Sequence, residues 1–182
     1  MARKHEKSVW GIYETRLALE RAIDGLRENG FLSSDISVLL PENLGSKELV
    51  TEKFTKAPEG ATAGASSGVL IGGALGWLAG IGAFALPGLG AFIAAGPILS
   101  TLAGVGVGGV LGGITGALIG AGMPEYEAKR YEGRLTKGGI LVSVYCGKRD
   151  EIPHAKEIME RTGGEDISVS EGEAAWAARA AG

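Results

Sequence analysis

GATAGASSGVLIGGALGWLAGIGAFALPGLGAFIAAGPILSTLAGVGVGGVLGGITGALIGAGMP, residues 60–124, holds no Asp, Glu, Lys, Arg or His. All 18 basic and all 21 acidic side chains lie on one side of it or the other. Within the block glycine recurs every fourth residue: Gly60, Gly64, Gly68, Gly72, Gly76 and Gly80, then Gly104, Gly108, Gly112, Gly116 and Gly120. On a helix this interval strips one row down to backbone and lets a second helix approach closely. Four residues turn about 400° on an ideal helix, so the row winds and favours a right-handed crossing. Such regularity argues against an elastin-like disordered tract, although Gly104–Val110 has that composition.

Glycine in a water-exposed helix costs about 1 kcal/mol against alanine. In hydrocarbon an unpaired backbone group costs several kcal/mol, and helix becomes the available single-segment solution. Ala61–Leu86 and Ile98–Gly122 are each long enough, at about 1.5 Å per residue, to cross an apolar core of about 30 Å. Leu86-Pro87-Gly88-Leu89-Gly90 and Gly96-Pro97 break the helix, leaving Ala91–Ala95 as a short turn. The favoured reading is therefore a membrane protein with a transmembrane glycine-zipper hairpin. Lys53, Lys56, Lys129, Arg130 and Arg134 near its ends place both termini in the cytoplasm by the positive-inside rule, with the hairpin in the inner (cytoplasmic) membrane. The alternative is a soluble cytoplasmic self-assembly that buries the same hairpins, because a helix apolar all round must be covered by something. A ligand-sensing domain gating a zipper pore is a further alternative. Its polar lining would be only Ser66, Ser67, Ser100, Thr101 and Thr115.

The flanks read as one small α+β domain in two halves. Ser8–Tyr13 is strand-like, Thr15 offers a hydroxyl N-cap, and Leu19, Ala22, Ile23 and Leu26 follow at helical spacing. Asn29-Gly30 ends that helix, and Asp35–Leu40 is a second strand. After the block the order returns: Ile140–Tyr145 as strand, a helix from about Asp150 with Ile152, Ala155, Ile158 and Met159 apolar, then Asp166–Val169 as strand. DISV occurs at 35–38 and again at 166–169, and VWGIY is echoed by LVSVY. These halves predict a ferredoxin-like β-α-β/β-α-β sandwich with its helices on one face of a four-stranded sheet. Residues 41–59 read as a loop with one helical turn around Leu49, Val50 and Phe54. Pro124–Lys137 reads as an amphipathic helix whose buried side is Ala128, Tyr131 and Leu135. The divisions are thus 1–59, first half of the domain; 60–122, zipper hairpin; 123–172, second half; and 173–182, a tail with Trp176 and Arg179.

No catalytic, cofactor or metal set emerges. His5 and His154 lack partners at metal-ligand spacing, Cys146 has no CxxC or adjacent base, and the block's glycines form no phosphate loop. The single cysteine excludes an intrachain disulfide, and no cleaved signal peptide is expected. Trp10, Tyr13 and Tyr145 occupy strands of a kind that can stack RNA bases. Neither flank is basic and no RNP1-like run is present, so they are expected in a core or interface and no nucleic-acid partner is expected. The residues assigned to helix packing and to the homo-oligomer are Gly64, Gly68, Gly72, Gly76, Gly80, Gly104, Gly108, Gly112, Gly116 and Gly120, with membrane lipid as the second partner.

GIYET, ALERAIDGLRENGF and DISVLLP, the insert motifs ALPGLG and AAGP, and the exit GAGMPEYEAKRYEGRLTKGGILVSV resemble the bacterial general-stress (heat-induced stress) protein family. The resemblance spans residues 8–170. It implies a bacterial source and a stress-linked role, and brings no catalytic residues with it; the non-enzymatic reading rests on the residues themselves.

Overall fold

Six of the seven residues of the first strand, β1 (Lys7–Tyr13), are buried. Successive strand residues point to opposite faces, so both faces of this strand are covered. The computed structural model describes residues 7–46, 78, 81–86, 90–98 and 113–171. After β1 come α1 (Arg16–Glu28), β2 (Ile36–Pro41), α2 (Glu42–Ser46), β3 (Ile81–Leu86), β4 (Gly90–Ala95), α3 (Gly113–Gly120), α4 (Glu125–Leu135), β5 (Ile140–Cys146), α5 (Glu151–Arg161) and β6 (Glu165–Glu171). The chain is α+β, and its strands form one antiparallel sheet in the order β3-β4-β2-β5-β1-β6.

Local chemistry explains where the helices start and stop. The Thr15 hydroxyl accepts from the Ala18 N–H at 3.2 Å, capping α1. Four helices end the same way, on Gly30, Gly122, Gly138 and Gly163, all with φ between 89° and 94°. In each case the next residue donates its N–H to the carbonyl five back: Phe31 to Leu26, Met123 to Leu118, Gly139 to Arg134 and Gly164 to Met159, at 2.8–3.1 Å. This Schellman closure needs a left-handed residue, which glycine adopts without a Cβ penalty.

The internal repeat becomes an interlock. β1 and β5 pair along their whole lengths, from Lys7↔Cys146 to Tyr13↔Ile140. β2 lies beside β5 and β6 beside β1, so each half's second strand joins the other half's first. On one sheet face α1 and α5 bury Val9, Tyr13, Ile36, Val38, Val142 and Val144 beneath Leu19, Ile23, Leu26 and Met159. On the other, Trp10, Ile12, Leu39 and Leu141 lie beneath Ile114, Leu118 and Tyr131 of α3 and α4. Helices therefore cover both faces, where the sequence reading placed them on one.

The larger correction concerns the uncharged block. Ile81–Leu86, expected as the end of a spanning helix, is β3, and Gly90–Ala95, which contains the expected tip, is β4. The two pair as a hairpin and extend the sheet beyond β2. In the second expected span, α3 is only eight residues long. No helix among the described residues is long and apolar enough to cross a membrane. The membrane location, the transmembrane helices and the inner-membrane assignment are overturned by this arrangement, and the gated pore needed those same helices. The physical reason is that the described parts of the block find cover on the domain itself. Ile114 and Leu118 are fully buried, each gaining about 1.5–3 kcal/mol from leaving water, while β4 satisfies its backbone against β2 and β3.

Smaller differences follow the same logic. The helical turn expected around Leu49, Val50 and Phe54 falls outside the described residues, and a five-residue helix, α2, begins earlier at Glu42. Gly96 turns the chain out of β4 with φ of 80°, passing so close to β2 that an added Cβ would lie 2.1 Å from the Ile36 carbonyl oxygen. Ile98 then donates its N–H to Ser37 Oγ at 3.2 Å, anchoring the exit.

Candidate functional site

α3 presents two unlike faces. Ile114, Ala117 and Leu118, with Ala121 just beyond, face the sheet. Gly116 and Gly120 face elsewhere: a Cβ built on either meets nothing within 4 Å among the described residues. Ile119 beside them is 42 % exposed, and Tyr126, at the start of α4, is 76 % exposed. The result is a helix surface lowered to backbone, with the exposed Ile119 beside it. Of the ten glycines assigned to packing, these are the two the structure describes; Gly64, Gly68, Gly72, Gly76, Gly80, Gly104, Gly108 and Gly112 lie outside the described residues.

α4 holds this surface in place. Thr115 of α3 donates to the Glu132 carboxylate. Ala128, Tyr131 and Leu135 are buried, as their spacing predicts. The Tyr131 hydroxyl donates to the Asp166 carbonyl and lies 2.9 Å from Ser168 Oγ, which donates to Glu127 at 3.0 Å. Burial raises the Tyr131 phenol above its ordinary value of 10.0, against the lowering effect of Ser168 and Arg130. Arg134 bridges to Glu165, and approaches Glu14 at 3.6 Å and Asp166 at 3.8 Å; Arg130 approaches Asp166 at 3.6 Å. These exposed pairs orient α4 on β6 more than they stabilise it.

The other expected residues are placed as follows. Trp10 is buried, its indole N–H donating to Ser170 Oγ at 2.7 Å, and Tyr13 is buried with its hydroxyl donating to the Met159 carbonyl at 3.2 Å. Neither is offered for base stacking. Cys146 is buried, and burial, with Glu151 and Asp35 adding to it, pushes its thiol up to about 12. A thiol so rarely ionised is a poor nucleophile. His154 is exposed, His5 lies outside the described residues, and no group of three metal-ligating side chains occurs among the described residues. A cleft of about 180 Å³ opens beside Glu14, Arg134 and Lys137. The Arg134 guanidinium there already faces three carboxylates.

Two features were missed in the sequence. One is the β3–β4 hairpin, whose only sign was the Pro-Gly turn between two apolar runs. The other is a set of buried serines, Ser8, Ser37, Ser143 and Ser170, the first three of which floor a gap of about 20 Å³ beneath Pro97 and Ile98. Serine alternating with large apolar residues was its signal. Comparison with protein-family models, with curated proteins and with solved structures returned no match to this chain.

Proposed function

We propose that this chain is a non-enzymatic, self-assembling scaffold whose copies cover one another's uncharged glycine-rich segment. Its domain is ferredoxin-like in the order of the four repeat strands, β2-β5-β1-β6, and acts as the rigid base from which α3 is displayed. The observation that carries the reading is the open backbone row at Gly116 and Gly120, held on a helix whose opposite face is fully buried. A natural occupant of such a groove is another helix of the same kind, because small residues permit close backbone approach and add no charge that needs a partner. Gly104, Gly108 and Gly112 continue the row in sequence. The link to stress comes from the resemblance in the flanks and exit motif. The partner in this reading is the chain itself, without nucleic acid.

The test begins with detergent-free lysis and flotation on a density gradient. A self-covered assembly stays in dense fractions and runs as a multimer in native mass spectrometry. Substituting Gly116→Leu and Gly120→Leu places branched side chains in the row, where the Cβ of each meets nothing within 4 Å among the described residues. The domain is expected to stay folded and the large assembly to be lost. Flotation with lipid, or a multimer unchanged by both substitutions, would sink the proposal.

A further inference from the structure

The two edges of the sheet are built differently. β6, at one end, carries Glu165, Asp166 and Glu171 within seven residues. Its register against β1 shifts between Trp10 and Ile12, Asp166 has φ of 51°, and Arg130 and Arg134 reach over it from α4. Charge, irregular pairing and a covering helix are the means by which proteins stop an edge from recruiting another strand. β3, at the other end, shows none of them among the described residues. Ile81-Gly82-Ala83-Phe84-Ala85-Leu86 contains no charge and no proline, and its register with β4 runs unbroken from Ile81↔Ala95 to Leu86↔Gly90. Among the described residues β4 is its one neighbour in the sheet. In an antiparallel pair alternate residues turn their N–H and C=O groups toward the partner, so half of the backbone groups of this six-residue strand face outward.

We infer that β3 pairs antiparallel with the β3 of a second copy across a two-fold axis, joining two six-stranded sheets into one. A two-fold contact requires a strand that complements itself. Like charges directly opposite one another destabilise such a pair, and β3 has no charge to oppose. The second copy supplies a strand of equal length and the same neutral character, which the guarded β6 does not. This contact rests on the self-assembly reading and deepens it by adding a second surface, separate from the glycine row of α3.

Ala83 is exposed in the middle of β3, so Ala83→Lys or Ala83→Glu alters the edge without entering the core. Near the two-fold axis, residue 83 of each copy lies opposite or diagonal to its mate, within reach of a long side chain. The experiment uses the full-length chain carrying Gly116→Leu and Gly120→Leu, followed by analytical ultracentrifugation. A dimer is expected there. Adding Ala83→Lys or Ala83→Glu should raise its dissociation constant at least tenfold, with far-UV circular dichroism unchanged, and an equimolar mixture of the two should restore pairing as a heterodimer. Concentration-dependent slowing of amide exchange within residues 81–86 should accompany the dimer and vanish in either single-charge variant. A monomer in the leucine background, a dimer indifferent to both charges, or a mixture that fails to recover would each overturn the inference. An assembly larger than a dimer in the leucine background would count against the α3 contact instead, and the amide-exchange comparison would still decide the β3 contact.

Discussion

Replacing Gly96 with alanine separates the observed fold from a continuous helix by the sign of the effect. Gly96 has φ of 80°, and an added Cβ would stand 2.1 Å from the Ile36 carbonyl oxygen and 2.9 Å from Ser37 Cα. A left-handed backbone costs a non-glycine residue about 1–2 kcal/mol. The clash adds to this, because β2 is hydrogen-bonded to β4 on one side and β5 on the other and cannot step back. Overpacking of this kind costs about 1–3 kcal/mol. The total of about 2–5 kcal/mol is a large share of the roughly 5–15 kcal/mol that stabilises a typical domain. With a urea dependence of about 1–3 kcal/mol per molar, the unfolding midpoint followed by far-UV circular dichroism should fall by about 1–2 M. Gly120→Ala is the matched control: none of the described residues lies within 4 Å of its Cβ position, and alanine gains about 1 kcal/mol of helix propensity. Were residues 81–98 helical, both substitutions would stabilise. A Gly96→Ala protein unfolding at or above the unchanged midpoint would refute the placement of β4 against β2.

The remaining predictions concern buried polar groups. Burial pushes the Cys146 thiol from 9.0 up to about 12 and the Tyr13 phenol from 10.0 up to about 12. The unfolded chain therefore releases these protons first, so stability is fully present below about pH 9 and falls from there toward pH 12, by up to about 1.4 kcal/mol per pH unit for each group; urea midpoints between pH 8 and 11 measure it, and a flat profile would contradict the burial. Tyr131→Phe removes the donor to the Asp166 carbonyl and should cost about 1–2 kcal/mol, whereas Lys129→Ala, which breaks an exposed pair with Glu125, should leave the midpoint nearly unchanged. Arg16 is 7 % exposed and its Nη1 has no hydrogen-bond partner among the described residues, although Nε donates to Glu20 at 3.0 Å. Arg16→Met keeps the aliphatic stem and removes the orphaned donor, so it should raise stability by about 1 kcal/mol; a loss of that size would mean the guanidinium contributes more than the Glu20 bond shows.

The flanks were legible because each element there carries its own local signal. Thr15 caps α1, glycine closes α1, α4 and α5, and the repeat of DISV told which strands correspond. Ala128, Tyr131 and Leu135 proclaimed the buried side of α4 by spacing alone. The block was not legible in the same way. An uninterrupted apolar run has no alternation to reveal a strand and no polar face to reveal a helix, so periodicity does not choose between them. Length and glycine spacing then favoured spanning helices, and only Pro87-Gly88 and Gly96 hinted at turns. Whether a run of six such residues becomes strand depends on an open edge being available, and β2 supplied one to β4 from about fifty residues away. That is a tertiary decision, made after the local ones.

The distribution of charge now has a structural meaning that the spacing of glycines did not reveal. α1, α4, α5 and β6 place their Lys, Arg, Asp and Glu side chains around the repeat domain, and the uncharged block leads outward from it in two directions. One direction is β3 at the sheet's edge, the other the glycine face of α3. A single lysine at either place would block strand pairing or helix approach by bringing an ammonium against backbone with nothing to neutralise it. The same substitution on the outer surface of α1 or α5 would be close to neutral. Selection for stability alone gives no reason to keep charge from an exposed position such as Ala83, or from the open row at Gly116 and Gly120. The association proposed above does give one, because in it each of these positions is a place where another backbone comes near.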